Sequence, residues 1–197
     1  MQSLFHTLID SPLGTMIAIA DEHSLVALDF ADRKQAILKQ KTIAKITKPI
    51  ASIKRELAEY FNHKRRSFAT PIAALGTPMQ EKVWAALIHI PYAITKSYSD
   101  IALAIRNPKA VRAVGTAIGK NPLVIIIPCH RVISKNGSLG GYGGGLQRKQ
   151  QLLALERQWL QKSRWGYRVR VIWNTIPSMK TILLYIVITI AIIEAGY

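Results

Sequence analysis

The run of residues 124–133 constrains the fold of this chain more than any other stretch. Four β-branched residues lead into Pro128, and because proline has no amide hydrogen to give to a β-ladder, the sequence predicts a strand that ends there. Cys129, the only cysteine of the chain, follows, and His130 and Arg131 come directly after it. Cations beside a thiol lower its pKa, so the pattern is typical of a reactive thiolate. A buried cysteine that packs as a small hydrophobic residue fits the same local run.

Composition narrows the kinds of protein that this chain can be. It has 197 residues, 49% of them hydrophobic, which is enough for a packed core. One cysteine excludes an internal disulfide framework and a Cys-rich zinc site, and we expect no metal. The net charge of +16 predicts a polyanionic partner, with nucleic acid favoured over an anionic membrane. The N-terminus lacks a signal-peptide pattern, so we expect a reduced, cytoplasmic compartment.

The first 75 residues have the pattern of a sheet-rich half. Short apolar runs separated by turn residues predict antiparallel strands over residues 5–9, 15–20 and 25–30. The following segment favours a helix over residues 34–45. A better-marked helix is predicted over residues 50–61, where one face would be apolar and aromatic: Ile53, Leu57, Tyr60 and Phe61.

The second half is predicted to be mainly helical. Thr77 followed by Pro78 is a strong start signal for a helix that ends near Ile90. Two short helices, over residues 97–105 and 109–118, are joined by a tight turn. This pair could be a DNA-binding helix-turn-helix or an ordinary helical hairpin.

A glycine-rich stretch and a final helix complete this half. Residues 140–145 predict a mobile loop, which could be a plain linker or could fold over a pocket beside Cys129. A helix is predicted from Gln147 to about residue 161. It places Glu156 among leucines, where a buried carboxylate needs a partner, and His130 is a candidate for that partner.

The motif Pro128-Cys129-His130-Arg131-Val132 resembles the signature of the O6-alkylguanine-DNA alkyltransferases, which are also called methylated-DNA–protein-cysteine methyltransferases. The similarity is dense over residues 76–157 and looser before them. Further motifs occur in the family's order: Gly76-Thr77-Pro78-Met79-Gln80, Ile90-Pro91-Tyr92, Ser97-Tyr98, Asn107-Pro108, Arg112-Ala113-Val114-Gly115, Asn121-Pro122 and Gly141-Tyr142-Gly143-Gly144-Gly145-Leu146.

The resemblance implies a two-part fold and a DNA repair activity. Residues 1–72 would form an α/β domain like ribonuclease H. Residues 73–162 would form a mainly α domain for DNA binding and methyl transfer, with the helix-turn-helix and the cysteine strand and turn. The implied activity is a single, irreversible transfer of an alkyl group to Cys129 from guanine O6, or from thymine O4, in a flipped-out nucleotide. It implies no cofactor.

The resemblance also assigns roles to residues. Cys129 would be the nucleophile and His130 its base, acting through a water, with Glu156 orienting the imidazole. Asn121 would brace the cysteine loop, and Tyr98 would donate a hydrogen bond to a ring nitrogen of the leaving guanine.

A second group of residues would contact DNA or the extracted base. Arg112 is expected to enter the base stack from the minor groove. The others would supply a pocket wall, backbone partners and neighbouring contacts: Tyr142, Val132, Gly143, Gly144 and Arg131. The implied partner is double-stranded DNA carrying O6-alkylguanine. We expect a monomer without an obligatory protein partner, located in the cytoplasm and at the nucleoid when bound to DNA.

Several positions depart from the family pattern, namely Met79, Ala93, Ile94 and Arg106. Arg106 stands where glycine is usual, so it would be strained if that site needs a positive φ, and otherwise would add a phosphate contact.

Residues 163–197 extend beyond the resemblance. They contain an uncharged apolar run, residues 181–193, that is shorter than the ~20 residues needed to span a bilayer. The extension could be an extra packed element, a membrane-surface anchor or an addition without function.

Other function classes are less well supported by the sequence. A non-catalytic protein that only binds alkylated DNA would lack the cysteine. An alkylation-responsive transcription activator would need zinc-binding domains that one cysteine cannot supply. A membrane-associated basic protein is supported by the extension alone.

Overall fold

The structure is a computed structural model. It describes the backbone of residues 3–33 and 42–175, and the side chains of these ranges as far as residue 160. The chain divides into one compact unit, Met1–Glu156, and a second, Arg157–Tyr197. All of the predicted site residues belong to the first unit.

A four-stranded sheet forms the N-terminal half. Strands β1 (Leu4–Ile9), β2 (Met16–Ala20) and β3 (Leu25–Phe30) are antiparallel neighbours, as the sequence predicts. Strand β4 (Thr42–Ala44) pairs in parallel with β1 and completes the order β3-β2-β1-β4. The prediction of a helix over residues 34–45 is therefore wrong at the residues of β4, because pairing with a free sheet edge overrides a weak local helix propensity. Residues 34–41 lie outside the described part.

Helix α1 (Lys48–Phe61) buries one face, with Ile50, Ile53, Leu57 and Tyr60 almost completely inaccessible to solvent. These residues join a single hydrophobic core that also contains residues of the C-terminal half, such as Trp84 and Leu123. The two halves therefore share one core, which lets a side chain of α1 reach residues near the end of the compact unit.

The C-terminal half begins with helices that the sequence predicts well. Helix α2 (Pro78–Ile88) starts at a capping box of Thr77 and Gln80, and the indole N–H of Trp84 donates to the carbonyl of Ala117 at 2.9 Å. Strand β5 (Lys96–Ser97) leads into helix α3 (Tyr98–Ala104), which Ser97 caps. Helix α4 (Val111–Gly119) follows a short 3-10 turn. The helix pair of the prediction is present.

The segment that leads to the cysteine is a turn, so the strand predicted over residues 124–127 is wrong. Leu123 makes a single bridge to Leu28 of β3, and the chain then doubles back, with the amide of Ile127 donating to the carbonyl of Leu123 at 2.9 Å. Ile125 has φ 72, a rare conformation for a β-branched residue. The Asn121 side chain satisfies the carbonyl of Ile127 at 2.8 Å, so local bonds replace a ladder.

Helix α5 (Leu146–Thr175) continues past the end expected near residue 161. Its first turns bury Lys149, Leu152, Leu153 and Glu156, which recur at helical spacing. No helix in the part of the chain that the structure describes is long and apolar enough to cross a membrane. The apolar run of residues 181–193 lies outside that part.

Arg106 adopts the left-handed conformation, with φ 57, in the turn after α3. Because glycine has no Cβ to clash there, Arg106→Gly is expected to raise the free energy of unfolding by about 1 kcal/mol. Lys120→Gly is the matched control, since Lys120 is also exposed and basic but has φ −96. Chemical denaturation of the three proteins measures the difference. An equal change in both variants would contradict the argument.

Candidate active site

Cys129 lies in a short 3-10 turn, Cys129–Arg131, between the turn of residues 124–127 and strand β6 (Val132–Ile133). Strand β6 pairs in parallel with β5 and thereby holds the start of α3 beside the cysteine. The thiol is 4% exposed, and the Asn121 amide nitrogen donates to Sγ at 3.0 Å. Asn121 also accepts from the amide of Leu123 at 3.0 Å, so its side chain is fixed at both ends.

The pKa of the Cys129 thiol is raised, contrary to the expectation of an activated thiolate. Burial raises this pKa to about 11, and the hydrogen bond from Asn121 and the charge of Lys149 only partly oppose the rise. The neighbouring cations fail to lower it because His130 is not protonated and Arg131 is bound to Glu156. The free protein therefore holds a neutral thiol, which must lose its proton during the reaction.

Glu156 is a fully buried carboxylate that accepts hydrogen bonds from four residues. Its Oε1 accepts from the Tyr60 hydroxyl at 2.8 Å, from His130 Nε2 at 3.0 Å and from Arg131 Nη2 at 2.8 Å. Its Oε2 accepts from the Ala93 amide at 2.8 Å and from Arg131 Nε at 3.0 Å. Burial alone would raise the pKa of Glu156, but His130 and Arg131 lower it to about 2.

His130 joins this carboxylate to the cysteine turn. The structure brings His130 and Glu156 together, as the sequence suggests. Burial lowers the pKa of His130, although Glu156 partly offsets the effect, so the imidazole is neutral at pH 7. Its Nδ1 is buried and has no hydrogen-bond partner within the described ranges. A neutral imidazole with one free nitrogen and an anion behind it can accept a proton.

A cavity of about 260 Å³ opens beside the thiol. Cys129, Tyr98 and Tyr142 line it together with glycine backbone and one face of α4: Gly115, Ile118, Gly119, Gly141 and Gly143. The Tyr98 hydroxyl lies 3.4 Å from the carbonyl of Gly141, and burial raises the pKa of Tyr98. The Tyr142 hydroxyl is buried and has no hydrogen-bond partner among the described residues. The cavity thus offers two phenols and a thiol to a planar ligand.

Lys149 of α5 holds the glycine loop against this cavity. Its ammonium is buried and donates to the carbonyls of Val132 at 2.5 Å, Gly141 at 3.2 Å and Leu139. Gly144 is required by space, since a Cβ there would lie 2.6 Å from the Tyr142 ring and 3.1 Å from Phe30. Because Gly141, Tyr142 and Gly143 line the cavity, the glycine loop is a packed wall of it, and the plain-linker interpretation is wrong.

The remaining predicted substrate contacts divide into two groups. Arg112 is exposed on α4, where it is free to meet DNA, and Gly143 lines the cavity. Arg131 does not fit the expected DNA contact, because its guanidinium is buried and bonded to Glu156 and to the Ile90 carbonyl at 2.7 Å. Val132 and Gly144 also lie outside the cavity lining.

The backbone amide and carbonyl of Val132 both have hydrogen-bond partners in the fold. Its amide bonds to the Cys129 carbonyl, and its carbonyl accepts from Lys149. Its expected hydrogen bond to an extracted base would require one of these groups to take a second partner.

Three groups of the site were missed by the sequence reasoning: Tyr60, Lys149 and the amide of Ala93. A phenol on the apolar face of α1 and a lysine on the buried face of α5 are signals that could have found the first two, because each needs a polar partner inside the core. Ala93 gives no such signal. Its amide donates to Glu156 from a residue with φ 61, a left-handed conformation that favours glycine over alanine.

Comparison with known families matches nearly the whole compact unit. Residues 4–74 match the family described as 6-O-methylguanine DNA methyltransferase, ribonuclease-like domain. Residues 78–158 match the family described as 6-O-methylguanine DNA methyltransferase, DNA binding domain. The two matches correspond to the sheet half and the helical half.

Individual relatives agree with these matches. The constitutive methylated-DNA–protein-cysteine methyltransferase of Bacillus subtilis is 44% identical over 159 residues, which cover 78% of this chain and 95% of the relative. A methylated-DNA–protein-cysteine methyltransferase of Methanosarcina barkeri is 42% identical over 153 residues, covering 78% and 97%. A crystal structure of a Mycobacterium tuberculosis enzyme in complex with DNA has a TM-score of 0.74 at 37% identity, covering 79% and 94%.

Proposed function

This chain belongs to the 6-O-methylguanine DNA methyltransferase family, and we propose that it repairs alkylated DNA by moving an alkyl group from guanine O6 to Cys129. Thymine O4 is the secondary substrate. The product is a thioether, and a neutral thioether is a poor alkyl donor, so each molecule acts once and needs no cofactor.

The observation that carries this proposal is the arrangement of groups around the thiol. Cys129 lines a cavity of about 260 Å³ that also has the rings of Tyr98 and Tyr142 in its walls, where a flipped base could lie. The Asn121 amide donates directly to the Cys129 sulfur at 3.0 Å. His130 and Glu156 follow behind it as a base and an anion. A metal-free alkyl transfer needs a nucleophile, a proton acceptor and a place for the leaving base, and these residues supply each of them.

The chemistry follows from the protonation states. The thiol proton passes to Nδ1 of His130, through a water, as the carbon–sulfur bond forms and the carbon–oxygen bond at O6 breaks. Glu156 stabilises the resulting imidazolium, and the Asn121 amide stabilises the developing thiolate. The electron pair of the broken bond stays with the guanine, where a hydrogen bond from Tyr98 stabilises the charge.

The DNA-binding surface is the exposed side of α4. Arg112 enters the base stack there, while Lys109 and Lys120, which are not buried, contact phosphates. Affinity should fall with salt, as for any contact that displaces counterions. Double-stranded DNA carrying O6-alkylguanine is the partner.

The assembly and organisation also belong to this proposal. We infer a monomer without an obligatory protein partner, in the cytoplasm and at the nucleoid when bound to DNA. The domain limits are 1–72 and 73–162, with residues 163–197 as an extension. The limits of the two family matches, 4–74 and 78–158, support this division.

The deciding experiment uses the full chain and a duplex with one O6-methylguanine. Intact mass spectrometry should detect a stoichiometric gain in which one methyl replaces one hydrogen, located on the Cys129 peptide. Cys129→Ala should gain nothing, and a duplex with ordinary guanine is the control for specificity. An unchanged mass on folded protein would refute alkyl transfer.

A further inference from the structure

Tyr60 is a buried phenol of helix α1, far along the chain from the cysteine. It is fully buried, and its ring packs against Phe61, Phe68 and Tyr92 at centroid distances of 5.4, 5.5 and 6.1 Å. This packing fixes the ring independently of its hydroxyl. A phenylalanine would keep the packing of the ring, so removing the hydroxyl leaves only the volume of one oxygen atom empty.

The hydroxyl of Tyr60 donates to Oε1 of Glu156 at 2.8 Å. The same oxygen accepts from His130 Nε2 at 3.0 Å. Burial and the adjacent carboxylate raise the pKa of Tyr60 well above its ordinary value, so the phenol keeps its proton and acts as a donor at neutral pH. One oxygen atom thus connects a side chain of the sheet half with the imidazole of the cysteine site.

We propose that Tyr60 is a positioning residue for alkyl transfer, which acts through Glu156 to set the orientation and basicity of His130. A carboxylate oxygen shares its charge among its donors. Without the hydrogen bond from Tyr60, Oε1 would interact more strongly with the imidazolium of His130. The pKa of His130 would therefore rise. The sheet half would therefore supply part of the catalytic array. This inference rests on the proposed function for its meaning in catalysis.

Other charged and titratable groups face this pair and stay in place when the hydroxyl is removed. Arg131 binds both oxygens of Glu156, and the Tyr92 ring stacks with its guanidinium at 5.5 Å. Cys129 lines the cavity, and Lys149 is bonded to the carbonyl of Val132. Because Tyr60→Phe alters none of these residues, a change in the pH dependence would report the lost donor itself.

The test compares the wild-type full chain, Tyr60→Phe and Ile53→Val. Ile53 is a buried core residue of the same helix with no polar group, so its variant reproduces a small loss of packing. Single-turnover methyl transfer is measured against pH. In Tyr60→Phe the acidic limb of the pH–rate profile should shift to higher pH by about half to one pH unit, which lowers the rate at a given pH on that limb roughly threefold to tenfold. Ile53→Val should keep the wild-type profile.

A direct titration of His130 completes the test. In DNA-free protein, the NMR signals of His130 should titrate at a higher pH in Tyr60→Phe than in wild type. Unchanged pH profile and titration in folded Tyr60→Phe would overturn the inference and leave Tyr60 as a packing residue. A wild-type protein that transfers no methyl group would instead refute the proposed function, while the titration would still decide whether Tyr60 acts on His130.

Discussion

Replacing Glu156 by glutamine is expected to lower the free energy of unfolding by about 3–5 kcal/mol, because it leaves the buried charge of Arg131 without its partner. It should also slow methyl transfer by about 100-fold or more, because the imidazolium of His130 loses its counterion. Urea denaturation and single-turnover transfer measure the two effects. Glu22→Gln is the control, since Glu22 pairs with Lys45 at the surface, where an ion pair contributes about 0–1 kcal/mol.

The pH dependence of stability provides a sharper test of the same residue. The pKa of Glu156 is lowered to about 2 in the fold, so its contribution is complete above its ordinary value of 4.5 and is lost as the pH falls from 4.5 towards 2. The difference in stability between wild type and Glu156→Gln should therefore shrink over this range. A difference that stays constant would mean that the carboxylate is not stabilised by its buried partners.

Asn121→Ala is expected to reduce the rate of methyl transfer by about 100- to 1000-fold, the range seen when a preorganised donor to a developing anion is removed. The amide nitrogen donates to both the Ile127 carbonyl and the Cys129 sulfur. Loss of the amide removes the direct stabilisation of the Cys129 thiolate, although burial has already raised the pKa of the thiol to about 11. It also frees the turn that holds the thiol in place.

Asn121→Asp separates these two effects. Aspartate keeps the acceptor for the Leu123 amide but presents a negative charge to the sulfur, so transfer should be slower than in Asn121→Ala. Asn136→Ala, in an exposed turn, is the matched control and should keep the wild-type rate. Rates within about threefold of wild type in both Asn121 variants would contradict a role in thiolate stabilisation.

The parts of the fold that could be predicted from the sequence are those governed by local signals. The three antiparallel strands are separated by turn residues, and α2 and α3 begin directly after Thr77 and Ser97, whose side chains cap the helices. The pairing of Glu156 with His130 was also accessible, because a carboxylate on an apolar helix face requires a polar partner inside the core.

Two failures, at β4 and at Arg131, occur where distant segments compete with local propensity, and a third depends on a side chain six residues away in sequence. Strand β4 forms because β1 has a free edge. The four β-branched residues before Pro128 form a turn in which the Asn121 amide donates to the carbonyl of Ile127. Arg131 was expected at the DNA, but the carboxylate of Glu156 lies 25 residues away in sequence and 2.8 Å away in space. Such a contact has no periodicity that a sequence pattern could reveal.

The sequence by itself determined the reactive group, its order among the surrounding motifs and the elements that carry them. Only the tertiary structure decided the electrostatic state of the site. Burial raises the pKa of the thiol of Cys129 and is the largest of the causes that lower the pKa of His130, to which the charge of the adjacent Arg131 adds. Both shifts depend on how much solvent the folded core excludes and on which donors, including Tyr60 from the sheet half, it brings to Glu156.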